Sequence, residues 1–461
     1  MSFASLDFLV FFSAVLLGTA VLERRFPSSA KEGFLLLASF FFYGYWDWRF
    51  CFLLLFVTLA SYFSAKHAQK KAAYLLGLTV PLVVLGFFKY FNFFLESFSA
   101  LAGRQADALR IILPVGISFY TFQALSYVID VHRGKIPAET SFLRLALYIS
   151  FFPQLVAGPI VRASDFLPQL REGRRVTWDN CKWGVQVFAF GLFKKIVLAD
   201  HLSVFADDIF RMPSAFCWTT LLLGTLAYSM QIYFDFSGYS DMAIGCAKCL
   251  GYDFNRNFDL PYCSADITEF WRRWHISLSS WLREYLYIPL GGNRKGEKRR
   301  IVNLMITMLL GGLWHGANWT FVFWGALHGL ALCADKALSK RRKPRAPRAL
   351  RILVTFVFVN FAWVFFRADS FATAAAVLRG IFTLQAGIRQ PQIWAFVSLG
   401  FLILASYAAV RRAKKTGAEL HGYYPILDLE SVWGLTLFFV ELGLILALAF
   451  TGEAPFVYFQ F

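Results

Sequence analysis

The sequence has 461 residues, of which 58% are hydrophobic and 16% are charged, and its formal net charge at pH 7 is +17. Soluble globular proteins are usually about 45–50% apolar, so this composition excludes an ordinary soluble enzyme. The basic residues lie mostly in loops between apolar runs, as in membrane proteins whose cytoplasmic loops are basic. We therefore expect an integral membrane protein that contacts anionic lipid of the bilayer and binds no nucleic acid.

Apolar runs with almost no charge recur along the sequence. The first run follows Asp7, where a signal peptide needs a basic region, and no cleavage pattern comes after it, so we expect a spanning segment. Counting spans between the basic loops predicts an all-α polytopic membrane protein with about ten or more transmembrane helices and both termini extracytoplasmic. No internal repeat or linker divides the runs, which predicts one membrane domain over 1–461. The clearest runs are 8–22, 34–46, 53–63, 74–88, 216–234, 352–366 and 432–450.

An apolar segment at 151–159 is broken by Pro153, Gly158 and Pro159. Irregular backbone at membrane depth has to be buried in protein or line a cavity. We therefore predict a re-entrant segment here.

Two carboxylates, Asp235 and Asp241, end the apolar run that begins at 216. Acidic groups at this depth have to be paired or reach water. They could orient a catalytic imidazole or bind a cation, but we favour a salt bridge to an arginine such as Arg272. The nearby Cys246 and Cys249 have no second pair to complete a metal site, so we predict packing for them and no metal in the protein.

Residues 266–300 combine an amphipathic pattern with a basic loop. Asp266 and Glu269 form a capping-box pattern that predicts a helix start. The helix is predicted to lie in the cytoplasmic interface, with Arg272 and Arg273 either among lipid headgroups or binding phosphate groups of a donor. His275 lies in the same stretch, and a lone histidine is more often structural than catalytic. The apolar residues at helical spacing are Phe270, Trp274, Leu278, Trp281 and Tyr285.

Residues 301–334 are predicted to form a re-entrant hairpin. Five basic residues precede it at 294–300 and eight follow at 336–351, so both ends lie on the cytoplasmic side. The hairpin is divided at 311–318, and the first arm, 301–310, is too short for a full crossing. His315 lies at the bend, where an ionisable residue is a functional hypothesis by default. His328, in the second arm, is expected to pack or to form a hydrogen bond.

These motifs resemble the membrane-bound O-acyltransferase superfamily, and within it the bacterial alginate O-acetylation branch. The resemblance lies in Trp271-Arg-Arg-Trp-His-Ile-Ser-Leu-Ser279, continued by Tyr287-Ile-Pro-Leu-Gly-Gly-Asn-Arg294, and in Gly311-Gly-Leu-Trp-His-Gly316 with Asn318-Trp319. Segments 151–159, 233–242 and 456–461 match in kind and order, so the similarity covers most of the chain from about residue 113. It implies the membrane fold of that superfamily.

The resemblance implies that His315 is the catalytic general base and that His275 has a supporting role. We expect Trp314, Asn318, Arg272, Arg273, Ser277, Asp235 and Asp241 to be candidates for binding the substrate or the donor. The implied reaction moves an acetyl group from a cytoplasmic thioester, acetyl-CoA or an acyl carrier protein, to an extracytoplasmic polysaccharide such as an alginate-like exopolysaccharide or peptidoglycan. No tightly bound cofactor is expected. The implied location is the bacterial inner membrane, and the implied partner is a periplasmic acetyltransferase.

Other functions remain open at this point. D-alanyl transfer to teichoic acid occurs in the same superfamily. A membrane transporter would use His315 as a proton relay, although the paired broken helices of transporter repeats are not evident. A non-catalytic scaffold for a surface-polymer complex would need neither histidine.

Overall fold

The computed structural model describes residues 1–104, 107–341, 346–416, 427–449 and 456, and in these ranges the backbone is overwhelmingly helical. Within them a single β-bridge, between Phe216 and Ile388, is the only strand-like pairing. The first ten α-helices are α1 (Leu6–Arg25), α2 (Ser28–Asp47), α3 (Arg49–Lys66), α4 (Lys71–Leu85), α5 (Phe91–Leu101), α6 (Ile117–His132), α7 (Phe142–Ser150), α8 (Phe152–Leu155), α9 (Ala163–Arg171) and α10 (Trp178–Leu192). The other ten are α11 (Asp200–Arg211), α12 (Trp218–Cys249), α13 (Ile267–Arg273), α14 (Ile276–Leu282), α15 (Gly296–His315), α16 (Trp319–Arg341), α17 (Arg348–Arg367), α18 (Phe371–Phe382), α19 (Ile393–Thr416) and α20 (Val432–Ala447).

Many helices expose large apolar side chains on their outer faces, as a lipid-facing surface requires. Among the described residues, five helical stretches are long and apolar enough to cross a membrane, judged by length and composition. The all-helical, multi-pass membrane fold is thereby confirmed. The five stretches are Leu6–Arg25, Arg49–Lys66, Lys71–Leu101, Trp319–Leu338 and Arg348–Arg367.

Among the residues that the structure describes, three π-helical segments interrupt the helices, at Gly86–Tyr90, Phe193–Ala199 and Arg283–Tyr287. The π-helix is rare and occurs frequently at functional sites. The segment Phe193–Ala199 joins α10 to α11 and carries two buried lysines, Lys194 and Lys195.

The chain contacts form two compact units, the first comprising Met1–Ala189 with Tyr239–Asn255. In this unit α6 is buried over nearly its full length, from Ile117 to Val131. The segment predicted to be re-entrant is short helix α8 followed by a turn at 156–158, and residues 151–161 are buried throughout. The Phe152 N–H donates to Ser39 Oγ at 3.2 Å. This broken backbone is therefore enclosed by protein, as membrane depth demands.

The second unit comprises Phe190–Gly238 with Arg256–Phe461 and contains both histidines of the predicted site. Helices α15 and α16 pack side by side as a hairpin, and α16 also packs on α13 and α17. The first arm does not end at 310, as the sequence suggested, because α15 continues through Gly311 and Gly312 to His315. At 20 residues and 1.5 Å per residue, α15 is about 30 Å long.

The single domain over 1–461 and the hairpin boundaries 301–334 stay predictions. Residues 342–345 of the second basic stretch and 457–461 of the tail lie outside the described residues.

Candidate active site

The bend between α15 and α16, which follows His315, is held by hydrogen bonds of Asn318. Helix α15 ends because Gly316 is extended, at φ −158° and ψ 150°. Asn318 then starts α16, since its Oδ1 accepts from the Thr320 N–H at 3.0 Å. The Asn318 amide also donates to the Asp369 carbonyl at 2.8 Å. Asn318 therefore fixes the bend, which does not require it to bind substrate.

Glycines allow the two arms of the hairpin to touch backbone to backbone. A Cβ added to Gly312 would lie 3.1 Å from the Phe321 carbonyl carbon and closer still to its oxygen. A Cβ added to Gly325 would meet the Met308 carbonyl in the same way. Small residues at helix crossings permit this approach in membranes. The crossing places His315 less than one turn beyond the tightest contact.

His315 is 3% exposed and is enclosed by aromatic rings. The ring centroids of Trp314 and Trp324 each lie 5.1 Å from that of His315, and the Phe366 centroid lies at 5.2 Å. All three rings present edges or tilted faces to the imidazole, an arrangement aromatic pairs prefer. Of these neighbours the sequence predicted only Trp314, because nothing in an apolar run distinguishes a lining ring from a packing ring.

His275 lies next to His315, with ring centroids 6.3 Å apart, and is fully buried. Its ring is 5.9 Å from Trp314 and 4.7 Å from Phe236. The structure therefore brings together His315, His275 and Trp314, which come from two separate motifs. We call this group of rings, with Trp324 and Phe366, the histidine cage.

The predicted continuous amphipathic helix is wrong at His275. Helix α13 ends at Arg273 and α14 begins at Ile276, while His275 has left-handed backbone angles, φ 42° and ψ 57°. In a continuous helix the Ile276 N–H would bond the carbonyl four residues earlier. It instead donates to the Asn257 carbonyl at 2.8 Å. A tertiary contact thus replaces the local hydrogen bond that the helical spacing predicted.

The aromatic stripe of this segment faces protein. Phe270, Trp274 and Leu278 are all completely buried, so these side chains pack within the protein and do not face lipid of the interface. Trp271 donates from Nε1 to His328 Nδ1 at 3.3 Å, and His328 is also completely buried. The hydrogen-bonding role expected for His328 is therefore present.

The capping-box prediction for α13 is confirmed in substance. Asp266 accepts from the Glu269 N–H at 2.7 Å, and Glu269 accepts from the Ala265 N–H at 2.8 Å. Burial disfavours the charge of Glu269, but the Ala265 N–H and the guanidinium groups of Arg348 and Arg273 outweigh it and lower the pKa of this carboxyl.

The two arginines of this segment differ in their surroundings. Arg273 is held by Glu269 at 3.0 Å and by Asp259 at 3.7 Å, so its charge is used within the protein. Arg272 is exposed, which leaves it accessible to an anionic group. Ser277 donates to Asn257 Oδ1 at 2.9 Å. Asn257 itself was not predicted, because an asparagine in a polar loop 18 residues before His275 carries no signal in the sequence.

Asp235 forms the predicted salt bridge, but with a lysine. Its carboxylate lies 2.8 Å from Lys195 Nζ, which also lies 2.7 Å from Asp200. Lys195 lies in the π segment Phe193–Ala199, about 40 residues before Asp235, so the spacing of residues around Asp235 could not predict it as the partner. Asp241 is buried within the first unit, and its role in binding stays a prediction.

Comparison with known proteins identifies the family. Residues 135–375 match the model of the MBOAT, membrane-bound O-acyltransferase family. The protein described as the probable alginate O-acetylase AlgI of Pseudomonas aeruginosa is 43% identical over 88% of this chain and 81% of its own length. The peptidoglycan O-acetyltransferase of Helicobacter pylori is 41% identical over 76% of this chain and 73% of its own length.

The alternatives from the sequence are weighed by the same comparison. The teichoic acid D-alanyltransferase of Bacillus subtilis is 27% identical over 56% of this chain and 69% of its own length, a more distant relationship. Membrane O-acetyl transfer is therefore confirmed over D-alanyl transfer, and the matched proteins are enzymes rather than transporters or scaffolds. The chain belongs to the membrane-bound O-acyltransferase family.

Proposed function

We propose that the protein transfers an acetyl group from a cytoplasmic thioester across the inner membrane, for O-acetylation of an extracytoplasmic polysaccharide, with His315 as general base. The observation that carries this proposal is the position of His315 at the end of α15, enclosed by the histidine cage. The relatives named for O-acetylation of alginate and of peptidoglycan support a polysaccharide acceptor.

The reaction needs one base next to the hydroxyl group that receives the acetyl group. His315 takes the hydroxyl proton as the oxygen attacks the thioester carbonyl carbon, and a tetrahedral intermediate forms. The C–S bond then breaks, and the thiolate takes the proton back from His315. The products are an O-acetyl ester and a free thiol, so the base is regenerated. General base catalysis contributes about 10²–10⁴-fold to such a step.

Burial of the site suits this reaction. A neutral imidazole is favoured over imidazolium away from water, and only the neutral form accepts a proton. The cage also excludes water, which would otherwise compete with the acceptor and hydrolyse the thioester. Exposed Arg272, on α13, is the candidate for contact with the phosphate groups of a CoA or carrier-protein donor.

The bend is the proposed meeting point of two substrates. The donor enters from the cytoplasm, where the basic stretch at 294–300 is expected, and the acceptor enters from the other side. A periplasmic acetyltransferase partner is proposed to complete delivery to the polymer. Both termini are proposed to be extracytoplasmic.

The test uses the purified protein in nanodiscs with a radiolabelled acetyl thioester and a soluble hydroxyl acceptor. We expect His315→Gln to lower kcat by about 10²–10⁴-fold. His67→Gln, at an exposed histidine in the other unit, is the matched control and should keep wild-type activity. Full label transfer by His315→Gln would remove the catalytic assignment. Running acetyl-CoA and acetylated carrier protein in parallel identifies the donor.

Topology is tested separately by labelling single cysteines in intact and permeabilised cells. Positions 295–300 and 340–345 should both label only from the cytoplasm. Labelling from opposite sides would contradict the hairpin.

A further inference from the structure

The side-chain amide of Asn257 has a defined orientation, set by a backbone group. Its Oδ1 accepts from the Ser277 N–H at 3.2 Å and from the Ser277 hydroxyl at 2.9 Å. A backbone N–H can only donate, so the atom facing Ser277 has to be the oxygen of the amide and not its NH₂ group. Asn257 is 1% exposed, which leaves water little access to this oxygen.

The same oxygen faces the imidazole of His275. Asn257 Oδ1 lies 3.3 Å from His275 Nδ1. Because an amide oxygen has no hydrogen to give, this contact is a hydrogen bond only if Nδ1 carries the proton. We propose that Asn257 is a positioning residue that holds His275 in the tautomer protonated on Nδ1 and so leaves Nε2 as the hydrogen-bond acceptor of the ring.

Two backbone hydrogen bonds hold Asn257 and His275 in this relation. The Ile276 N–H donates to the Asn257 carbonyl at 2.8 Å, and the Asp259 N–H donates to the Arg273 carbonyl at 2.9 Å. They fasten the loop to both sides of His275. His275 itself has a left-handed backbone that non-glycine residues adopt rarely and that persists only where the surroundings enforce it. The loop is therefore part of what sets the imidazole in place.

The tautomer decides what His275 can do in the histidine cage. Its ring lies 6.3 Å from that of His315 and 5.9 Å from that of Trp314. A neutral ring protonated on Nδ1 can accept a hydrogen bond at Nε2 and has no proton there to donate. This suits a residue that orients the acceptor by accepting from a second hydroxyl group of the polysaccharide, while His315 removes the proton of the attacking hydroxyl. This last step rests on the proposed function, whereas the tautomer itself does not.

The tautomer can be measured without turnover. Enzyme labelled with ¹⁵N in the histidine rings gives different nitrogen shifts for protonated and lone-pair nitrogens, and His275→Gln identifies the two signals of His275. We expect Nδ1 protonated and Nε2 unprotonated in the wild type, and a large Nε2–H population in Asn257→Leu. A proton on Nε2 in the wild type, or an unchanged tautomer in Asn257→Leu, would overturn the proposal.

Kinetics supply a second, independent readout. Asn257→Leu should lower kcat by about 10- to 100-fold, as small misplacements of reacting groups do, with the KM for the thioester within about threefold of wild type. Asn257→Asp keeps the acceptor oxygen and should retain the wild-type tautomer. Its carboxylate favours imidazolium, so the His275 ring, followed by the same ¹⁵N signals, should titrate about one to three pH units higher than in the wild type. An unchanged titration of His275 overturns the proposal.

The matched control is Asn360→Leu, another buried asparagine of the same unit, which bonds the Thr225 carbonyl and Ser229 Oγ and touches neither histidine. It should leave the His275 signals and their titration unchanged. If His315→Gln is active, the proposed function fails while the tautomer measurement still stands or falls by itself.

Discussion

Replacing Gly312 with alanine tests whether the close crossing of α15 and α16 positions His315. The added Cβ would lie 3.1 Å from the Phe321 carbonyl carbon and under 3.0 Å from its oxygen, whereas ordinary contacts begin at 3.4 Å. Both obstructing atoms are backbone, so neither can rotate away. One arm of the hairpin therefore has to move by about 1 Å to relieve the overlap with this oxygen.

The magnitude follows from two opposing effects on stability and one on catalysis. Alanine is favoured over glycine inside a helix by about 0.5–1 kcal/mol, while overpacking costs about 1–3 kcal/mol. The net destabilisation is then about 0–2.5 kcal/mol, too little to unfold the protein. His315 is only three residues further along α15, and a displacement of this size at a reacting group costs about 10- to 100-fold in rate. We expect a folded protein with kcat reduced by that factor.

The assay is initial-rate transfer from the radiolabelled acetyl thioester, with thermal unfolding measured on the same preparation. Gly311→Ala is the matched control, because its Cβ would meet only Leu282 Cδ1, the end of a flexible side chain, at 3.1 Å. It should stay within about threefold of wild type, since a flexible neighbour gives way easily. Wild-type kcat in a stably folded Gly312→Ala protein would refute the reasoning that the crossing positions the base.

Two further substitutions test interactions outside the histidine cage, both by the thermal unfolding midpoint in nanodiscs. Lys195→Met removes the cation that bridges Asp200 and Asp235, and breaking a buried pair costs about 3–5 kcal/mol, so the midpoint should fall markedly. Lys195→Arg should retain most of the stability, and an equally stable Lys195→Met protein would show that the bridge contributes little. Asp266→Ala removes the N-cap of α13 and should cost about 0.5–2 kcal/mol. Asp266→Asn keeps a capping oxygen and loses only the partly exposed ion pair with Arg351, so the unfolding midpoint should hardly change. A fall of the midpoint as large as that of Asp266→Ala would show that the charge of Asp266, and not its capping oxygen, stabilises the helix.

Much of the helical framework could be predicted because its cause is local. The apolar run 352–366 lies within α17, and the run 8–22 lies within α1. Composition and span length suffice for such elements, because a single segment can cross a bilayer only as a helix, in which every backbone hydrogen bond is internal to the segment.

The two histidines of the site could be predicted from the sequence, but the residues that hold them in place could not. His315 and His275 lie in recognisable motifs. The helix break at His275, however, depends on a hydrogen bond to Asn257, and the spacing of apolar residues within 266–285 carries no information about a residue outside that segment. Gly311 and Gly312 looked like the end of the first arm, because glycine disfavours helix interiors. Contact with α16 compensates for that preference, and α15 continues to His315.

The π segment Phe193–Ala199 has a consequence for how the chain tolerates changes in length. Bonding from i to i+5 accommodates one more residue per turn than an α-helix. Deleting one residue here would therefore restore α geometry while α11 keeps its orientation, and the Asp207 pair with Arg367 would survive. Lys195 lies within the segment itself, so its bridge between Asp200 and Asp235 would be lost. The wide turn is thus expected to matter for the placement of this lysine and not for the direction of the helix that follows.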